Sequence, residues 1–166
     1  MDGNFRSTLP VVLIAALATG LVPARAARAA DTPAYPQGAA AFQSNCALCH
    51  GAAGAGVPAL APPITSYPAR FAATAEGRRQ LVMTVLYGRF GEITLGEKRF
   101  NAQMPDFARL DDATLAATLN FVVFDLAHAA PELKPISATE ITAERAHTMD
   151  GVAVREHRKS VAPAGS

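Results

Sequence analysis

The chain has 166 residues and no internal repeat, a length that fits one domain. Half of its residues are hydrophobic, but many of these are alanine, and there is no tryptophan. Large core side chains are therefore scarce, and a buried cofactor would supply apolar bulk. With 15 basic and 14 acidic residues, the chain lacks the positive field that nucleic-acid binding requires.

Residues 1–29 have the pattern of a secretory signal peptide. Arg6 precedes an apolar run over residues 11–18, and two A-x-A cleavage sites follow at 24–26 and 27–29. The run is shorter than the roughly 20 residues of a membrane-spanning helix, which favours cleavage over an uncleaved membrane anchor. Cleavage leaves 12 basic and 13 acidic residues and no further segment that could span a membrane. We therefore expect export.

Three helices are predicted, over residues 38–49, 76–87 and 111–128, separated by loops at 51–63 and 88–107. Gly88 would end the second helix. Asp111 would cap the third, whose apolar face recurs at helical spacing in Leu115, Leu119, Val122, Val123 and Leu126. A short helix is predicted over 139–147, and about the last 16 residues are expected to be disordered. Because no alternating strand pattern is present, the predicted class is all-α with long loops.

The sequence Cys46-Ala47-Leu48-Cys49-His50 is a C-x-x-C-H haem attachment motif. Two thiols at this spacing can form thioethers with the two vinyl groups of haem, and the adjacent histidine can bind the iron. These are the only two cysteines in the chain, and a disulfide between them would close a loop too small to stabilise the fold. The motif predicts one covalently bound haem c.

Three other interpretations of the motif remain open from the residues alone. A thioredoxin-like redox pair expects a preceding strand in a βαβ unit, whereas Cys46 follows an alanine-rich helix. A structural zinc site expects four ligands, so scattered histidines would have to join the two cysteines. The match could also be accidental.

A six-coordinate haem iron needs a second axial ligand, and Met104 is the predicted one. It lies in a loop and precedes Pro105, whose fixed φ would stiffen the ligand-bearing segment. The other methionines after the motif are Met83, which falls inside a helix pattern, and Met149, which falls in the tail. The competing histidines are His128, His147 and His157.

At this point the chain resembles monohaem class I c-type cytochromes of the bacterial periplasm, over about residues 37–128. The resemblance lies in the order of four features: the haem motif, a proline loop at 58–63, Met104-Pro105, and a closing helix with Asn120-Phe121-Val122. It implies a cytochrome c-like helical domain wrapped around one haem. The predicted divisions are a signal peptide (1–29), a cytochrome c domain (30–130) and a partly disordered C-terminal extension (131–166).

The resemblance also implies roles for single residues. Gly38 and Phe42 of the first helix would cross the closing helix at Phe121. The carbonyl of Pro58 would accept the N–H of His50, and Leu60 would pack on the haem. Further candidates are Tyr87 and Phe100 for the pocket wall, and Arg89, Lys98 and Arg99 for the haem propionates.

The function expected from these features is periplasmic single-electron transfer through a haem with His50 and Met104 as ligands. The protein would be either a soluble carrier or the cytochrome subunit of a periplasmic dehydrogenase. Its expected partners are redox proteins, namely an upstream dehydrogenase and a downstream oxidase or cytochrome, and not nucleic acid. Alternatives are a haem enzyme or sensor with an open iron site, and a thiol–disulfide oxidoreductase.

Overall fold

Helices dominate the structure, a computed structural model that describes Met1 and residues 32–163. The helices, in chain order, are α1 (Pro36–Asn45), α2 (Ala47–His50), α3 (Tyr67–Ala72), α4 (Ala75–Tyr87), α5 (Asp112–Asn120), α6 (Ala138–Arg145) and α7 (Gly151–Val161). A π-helical segment, Phe121–Leu126, continues α5. The predicted all-α class is confirmed, while the predicted signal peptide lies outside the described residues.

Helix α1 crosses the closing helix, formed by α5 and its π-helical continuation, at close range. A Cβ atom on Gly38 would collide with the backbone carbonyl of Ala117, so glycine allows the two backbones to approach. The rings of Phe42 and Phe121 pack beside this point with centroids 5.4 Å apart. The predicted crossing is confirmed. It fixes α1, which leads into the haem motif, against the closing helix.

Local signals set the ends of α4 and α5, and they include the predicted Asp111 cap and the predicted stop at Gly88. The side chain of Thr74 accepts the backbone N–H of Gly77, and that of Asp111 accepts the N–H of Thr114. Gly88, with φ of +70°, ends α4.

The structure differs from the sequence predictions in three elements. Strands β1 (Ile93–Leu95) and β2 (Lys98–Phe100) form an antiparallel hairpin within the predicted loop 88–107, turning at Gly96. Helix α3 also lies in a region without a predicted element. Helix α7 occupies the tail that was expected to be disordered, and that prediction is wrong for Gly151–Val161. It begins at an Asp150 cap that accepts the N–H groups of Val152 and Ala153.

The segment after residue 130 contributes to the core. Ile141 and Val154 are fully buried, and Ile136 is nearly so. The amide of Asn120 makes two buried hydrogen bonds to the backbone of Ile136, at 2.9 and 2.7 Å. Buried contacts therefore cross the boundary that the sequence placed at residue 130.

In the part of the chain that the structure describes, no helix is both long and apolar enough to cross a membrane.

Candidate functional site

A large cavity opens between the haem motif, α3, α4, the closing helix and α7. It encloses about 1150 Å³, including solvent at its mouth. Its wall is mainly apolar, with a few polar and charged side chains. This combination is typical of a cofactor site that uses shape and apolar contact for binding and a few polar groups for orientation.

Both cysteines line this cavity from α2 and the residue before it, and are half-buried free thiols. Burial, and secondarily the neighbouring Cys49, raises the pKa of the Cys46 thiol to about 11. Redox-active cysteines instead have lowered pKa values, so this site does not suit a thiol–disulfide oxidoreductase. Within residues 32–163, no cluster of three or more His, Cys, Asp or Glu side chains could complete a zinc site around the pair.

The imidazole of His50 lies on the same wall, and its orientation is fixed by a backbone acceptor. Its Nδ1–H donates to the carbonyl of Pro62 at 3.1 Å. Burial lowers the pKa of His50 more than this hydrogen bond raises it, which favours the neutral ring. A neutral ring protonated at Nδ1 leaves the Nε2 lone pair available to bind a metal.

The prediction that Pro58 supplies this carbonyl is wrong. Pro58 is exposed and lies outside the cavity wall, whereas the carbonyl of Pro62, which lines the cavity, is the acceptor. The chain turns between them, with Val57 and Ala61 forming a short backbone bridge and Ala59 at a positive φ. This turn carries the acceptor four residues further along the chain than the sequence predicted.

Leu60, the predicted haem-packing residue, lies on the cavity wall. Its side chain is also 42% exposed, so it stands at the mouth of the cavity and not in its interior.

Met104 lines the cavity on a segment that is fixed to the end of α4. Its backbone N–H and carbonyl form two hydrogen bonds with Arg89, at 2.9 and 3.0 Å. A Cβ atom on Gly88 would collide with the Met104 carbonyl, so this close pairing depends on glycine. The segment is held in place by the backbone, as a stable ligand-bearing loop requires.

The rival ligands lie elsewhere. Met83 is fully buried in α4 and, like Met149, is not part of the cavity wall. His128 and His147 are exposed, while His157 binds Gln80 through Nδ1 at 2.7 Å.

Of the side chains proposed for the pocket wall and propionates, only Arg89 lines the cavity. The Tyr87 hydroxyl donates to backbone carbonyls of Glu144 and His147, so it anchors the extension. Phe100 is buried outside the wall. Lys98 and Arg99 are exposed on the hairpin.

Sequence reasoning missed Tyr67, Gln80 and Arg158, which also line the cavity. Arg158 belongs to the tail that was expected to be disordered. The sequence offered one indication of its position: Arg158 lies four residues after Val154, a spacing that puts both side chains on one face of a helix.

The residues present fit a haem c. Two thiols, a histidine with a free Nε2 and a thioether border one cavity with a mainly apolar wall. The buried guanidinium groups of Arg89 and Arg158 also line this cavity, and a guanidinium suits the carboxylates that haem carries.

Comparison with known proteins agrees with this fit. Residues 33–122, more than half of the chain, match the family described as cytochrome c oxidase, cbb3-type, subunit III. A cytochrome c-552 of Thermus thermophilus is 32% identical over 124 residues, which cover 74% of this chain and 95% of the relative. A second cytochrome c-552, from T. thermophilus strain ATCC 27634, is also 32% identical, over 74% of this chain and 84% of the relative.

Proposed function

The chain belongs to the c-type cytochrome family, and we propose that it transfers single electrons through one haem c held between His50 and Met104. Members of this family bind haem c covalently and act in electron transfer. The haem supplies an iron that alternates between the ferrous and ferric states. The thiols of Cys46 and Cys49 would hold the haem by adding across its two vinyl groups to give thioether bonds.

The observation that carries the proposal is the placement of four groups around one cavity. The two thiols and the His50 ring come from a segment more than 50 residues away from Met104, yet all four border a single apolar space. The alternative methionines and histidines after the motif do not border it.

Rigid support of both ligands suits electron transfer. His50 is held by the Pro62 carbonyl, and the Met104 segment is held by its backbone pairing with Arg89. Ligands that stay in place in both oxidation states keep reorganisation small. The apolar wall excludes water, and the thioether ligand favours the ferrous iron.

Docking of a partner is proposed at the edge that carries the cysteines. Leu48, between the two cysteines, is 91% exposed, and Leu60 at the cavity mouth is partly exposed. Exposed apolar side chains next to a redox centre suit a small, transient interface. The partners are a dehydrogenase upstream and an oxidase or another cytochrome downstream, with the protein acting as a soluble carrier or as a dehydrogenase subunit.

Export to the periplasm is part of the proposal. The predicted signal peptide over residues 1–29 supports it. Covalent attachment also suits that compartment, where a dissociated haem would not be recovered.

The ligand assignment is tested by Met104→Ala in the purified, haem-loaded protein. We predict loss of the weak red absorption band of thioether-bound ferric iron. We also predict a lower reduction potential, because methionine ligation raises it. Met149→Ala is the matched control, since Met149 lies outside the cavity wall, and it should keep both properties. A red band that survives in Met104→Ala would contradict the assignment.

A haem enzyme or sensor is the second candidate function, and it requires an open iron site. High-spin ferric iron in the unaltered protein would favour it over the carrier.

A further inference from the structure

Helix α7 places a charged side chain in the cavity wall. Arg158 is only 8% exposed, and its guanidinium lies 5.4 Å from the ring centroid of Phe71 and 5.8 Å from that of Tyr67. Its Nη2 atom is buried without a hydrogen-bond partner among the described residues. The guanidinium of this cavity-lining residue therefore has donor capacity that the described residues do not use.

No carboxylate lines the cavity to compensate this charge, as far as the chain is described. Arg89, only 5% exposed, adds a second guanidinium to the same wall. Its Nη1 and Nη2 atoms donate to the carbonyls of Gly91 and Ala102, which are neutral acceptors. Two buried cations without a counter-ion are unfavourable, and a planar guanidinium fork matches a carboxylate.

Haem carries two carboxylates on one edge and is otherwise largely apolar. We propose that Arg158 binds a haem carboxylate, and that this contact locks the C-terminal helix α7 over the haem pocket. The inference rests on the haem site proposed above. It gives the C-terminal extension a role as a haem-dependent latch, in which Arg158 is a cofactor-binding residue.

The surroundings of α7 hold Arg158 in place for this role. Val154, one turn earlier, is fully buried, and its carbonyl accepts the amide of Gln80 in α4 at 3.3 Å. The carbonyl oxygen of the same Gln80 side chain accepts the Nδ1–H of His157 at 2.7 Å. Gly151 at the start of α7 contacts Phe90 so closely that a Cβ atom would not fit. Most of the helix is thus aligned by other contacts, while the guanidinium lines the cavity.

Two consequences follow from the proposed contact. A cation beside the haem destabilises the ferric state relative to the ferrous state, so removal of Arg158 should lower the reduction potential. Loss of a charge-assisted hydrogen bond should also loosen α7, although its other contacts remain, and raise its hydrogen exchange by on the order of tenfold or more.

The test compares Arg158→Gln, Arg158→Lys and Lys159→Gln in the haem-loaded protein. Lys159→Gln removes the same charge from the neighbouring position, but Lys159 is exposed and pairs with Glu156. We predict that Arg158→Gln lowers the potential and raises exchange in residues 151–161. Arg158→Lys, which keeps the charge, should retain most of the potential. Lys159→Gln should change neither property. The proposal would be overturned if Arg158→Gln had the same reduction potential, and the same hydrogen exchange in residues 151–161, as Lys159→Gln.

If Arg158→Gln does not fold, NMR of the unaltered protein decides the question. Nuclear Overhauser contacts between the Arg158 guanidinium protons and the haem propionate methylenes support the contact, and their absence overturns it. Failure of the haem proposal itself is distinguishable, because purified protein would then contain no covalent haem. A normally loaded protein without these effects overturns only the latch.

Discussion

At the scale of single residues, the path of the proline loop determines which backbone carbonyl orients the His50 ring. The need for a backbone carbonyl near the ligand histidine follows from the chemistry of the motif. Which of the prolines in 58–63 supplies it depends on the path of the loop. That path is set by positive φ angles at Gly54, Gly56 and Ala59, and no local spacing rule encodes it. The result is Pro62 instead of Pro58.

Gly88 gives a prediction about the Met104 segment. Gly88→Ala would place a Cβ atom at positive φ and against the Met104 carbonyl. With φ of +70° and ψ of −166°, Gly88 has a conformation that essentially only glycine adopts, so we expect the substitution to destabilise the protein by about 1–3 kcal/mol or more. It should also weaken the red ferric band, because the ligand-bearing backbone must shift. Denaturant unfolding and the absorption spectrum measure these effects.

Gly96→Ala is the matched control for this prediction. Gly96 also has a positive φ, at +58°, but a Cβ atom there meets nothing within 4 Å. The control should show only the conformational cost and keep the full ferric band. Equal effects of the two substitutions would show that contact with the Met104 carbonyl is not important.

At the scale of elements, α6 is fixed to the rest of the fold by three ion pairs, one of which joins Glu144 to Arg79 of α4 at 2.9 Å. Arg145 pairs with Asp112 of α5 at 2.8 Å, and Arg78 of α4 binds both carboxylate oxygens of Glu140, at 2.9 and 3.0 Å. Glu140 also completes a capping box with Ser137 at the start of α6. These contacts tie the extension to two helices that border the cavity.

Acid should loosen this attachment. Hydrogen bonds from Thr142 and Arg145 lower the pKa of Asp112. Burial would raise the pKa of Glu140, but hydrogen bonds from Arg78 and Ser137 outweigh it and lower that pKa. Because both folded-state pKa values lie below the unfolded ones, their stabilisation is complete above the usual carboxylate range. It is lost as the pH falls through the unfolded carboxylate pKa values towards the lower folded ones.

Hydrogen exchange of residues 138–145 at two pH values, about 3 and about 6, measures the loosening once it is corrected for intrinsic rates. We predict weaker protection at the lower pH. Compared with the unaltered chain, an Asp112→Asn, Glu140→Gln double variant should have weaker protection at the higher pH. Its protection should also change less between the two pH values. Protection in the unaltered chain that is the same at both pH values would contradict the role of these carboxylates.

The elements differ in whether their local sequence pattern is sufficient to predict them. The closing helix was predictable because its apolar spacing and the Asp111 cap agree. Helix α7 was not, because its polar composition resembles a disordered tail. Its order depends on burial of Val154 beside α4, a tertiary contact that composition does not reveal. The hairpin was not predictable either, because each strand has only three residues, too few to show an alternating pattern.

At the scale of the whole molecule, the site brings together parts that are distant in sequence. That the motif and Met104 would border one cavity was predictable, because attachment chemistry and ligand type restrict the choice of residues. The contribution of Arg158 was not, because it depends on how the extension folds back over the pocket. Conversely, a haem carboxylate would stabilise the extension in this position, because it would supply the negative charge that the buried guanidinium lacks.

The central claim is that the protein transfers single electrons through a covalent haem with two fixed axial ligands. A spectroelectrochemical titration of the purified, unaltered protein tests it most directly. We predict a reversible one-electron transition, low-spin spectra in both oxidation states, and a ferrous form that does not take up carbon monoxide readily. High-spin ferric iron, ready carbon monoxide binding or the absence of covalent haem would contradict the claim.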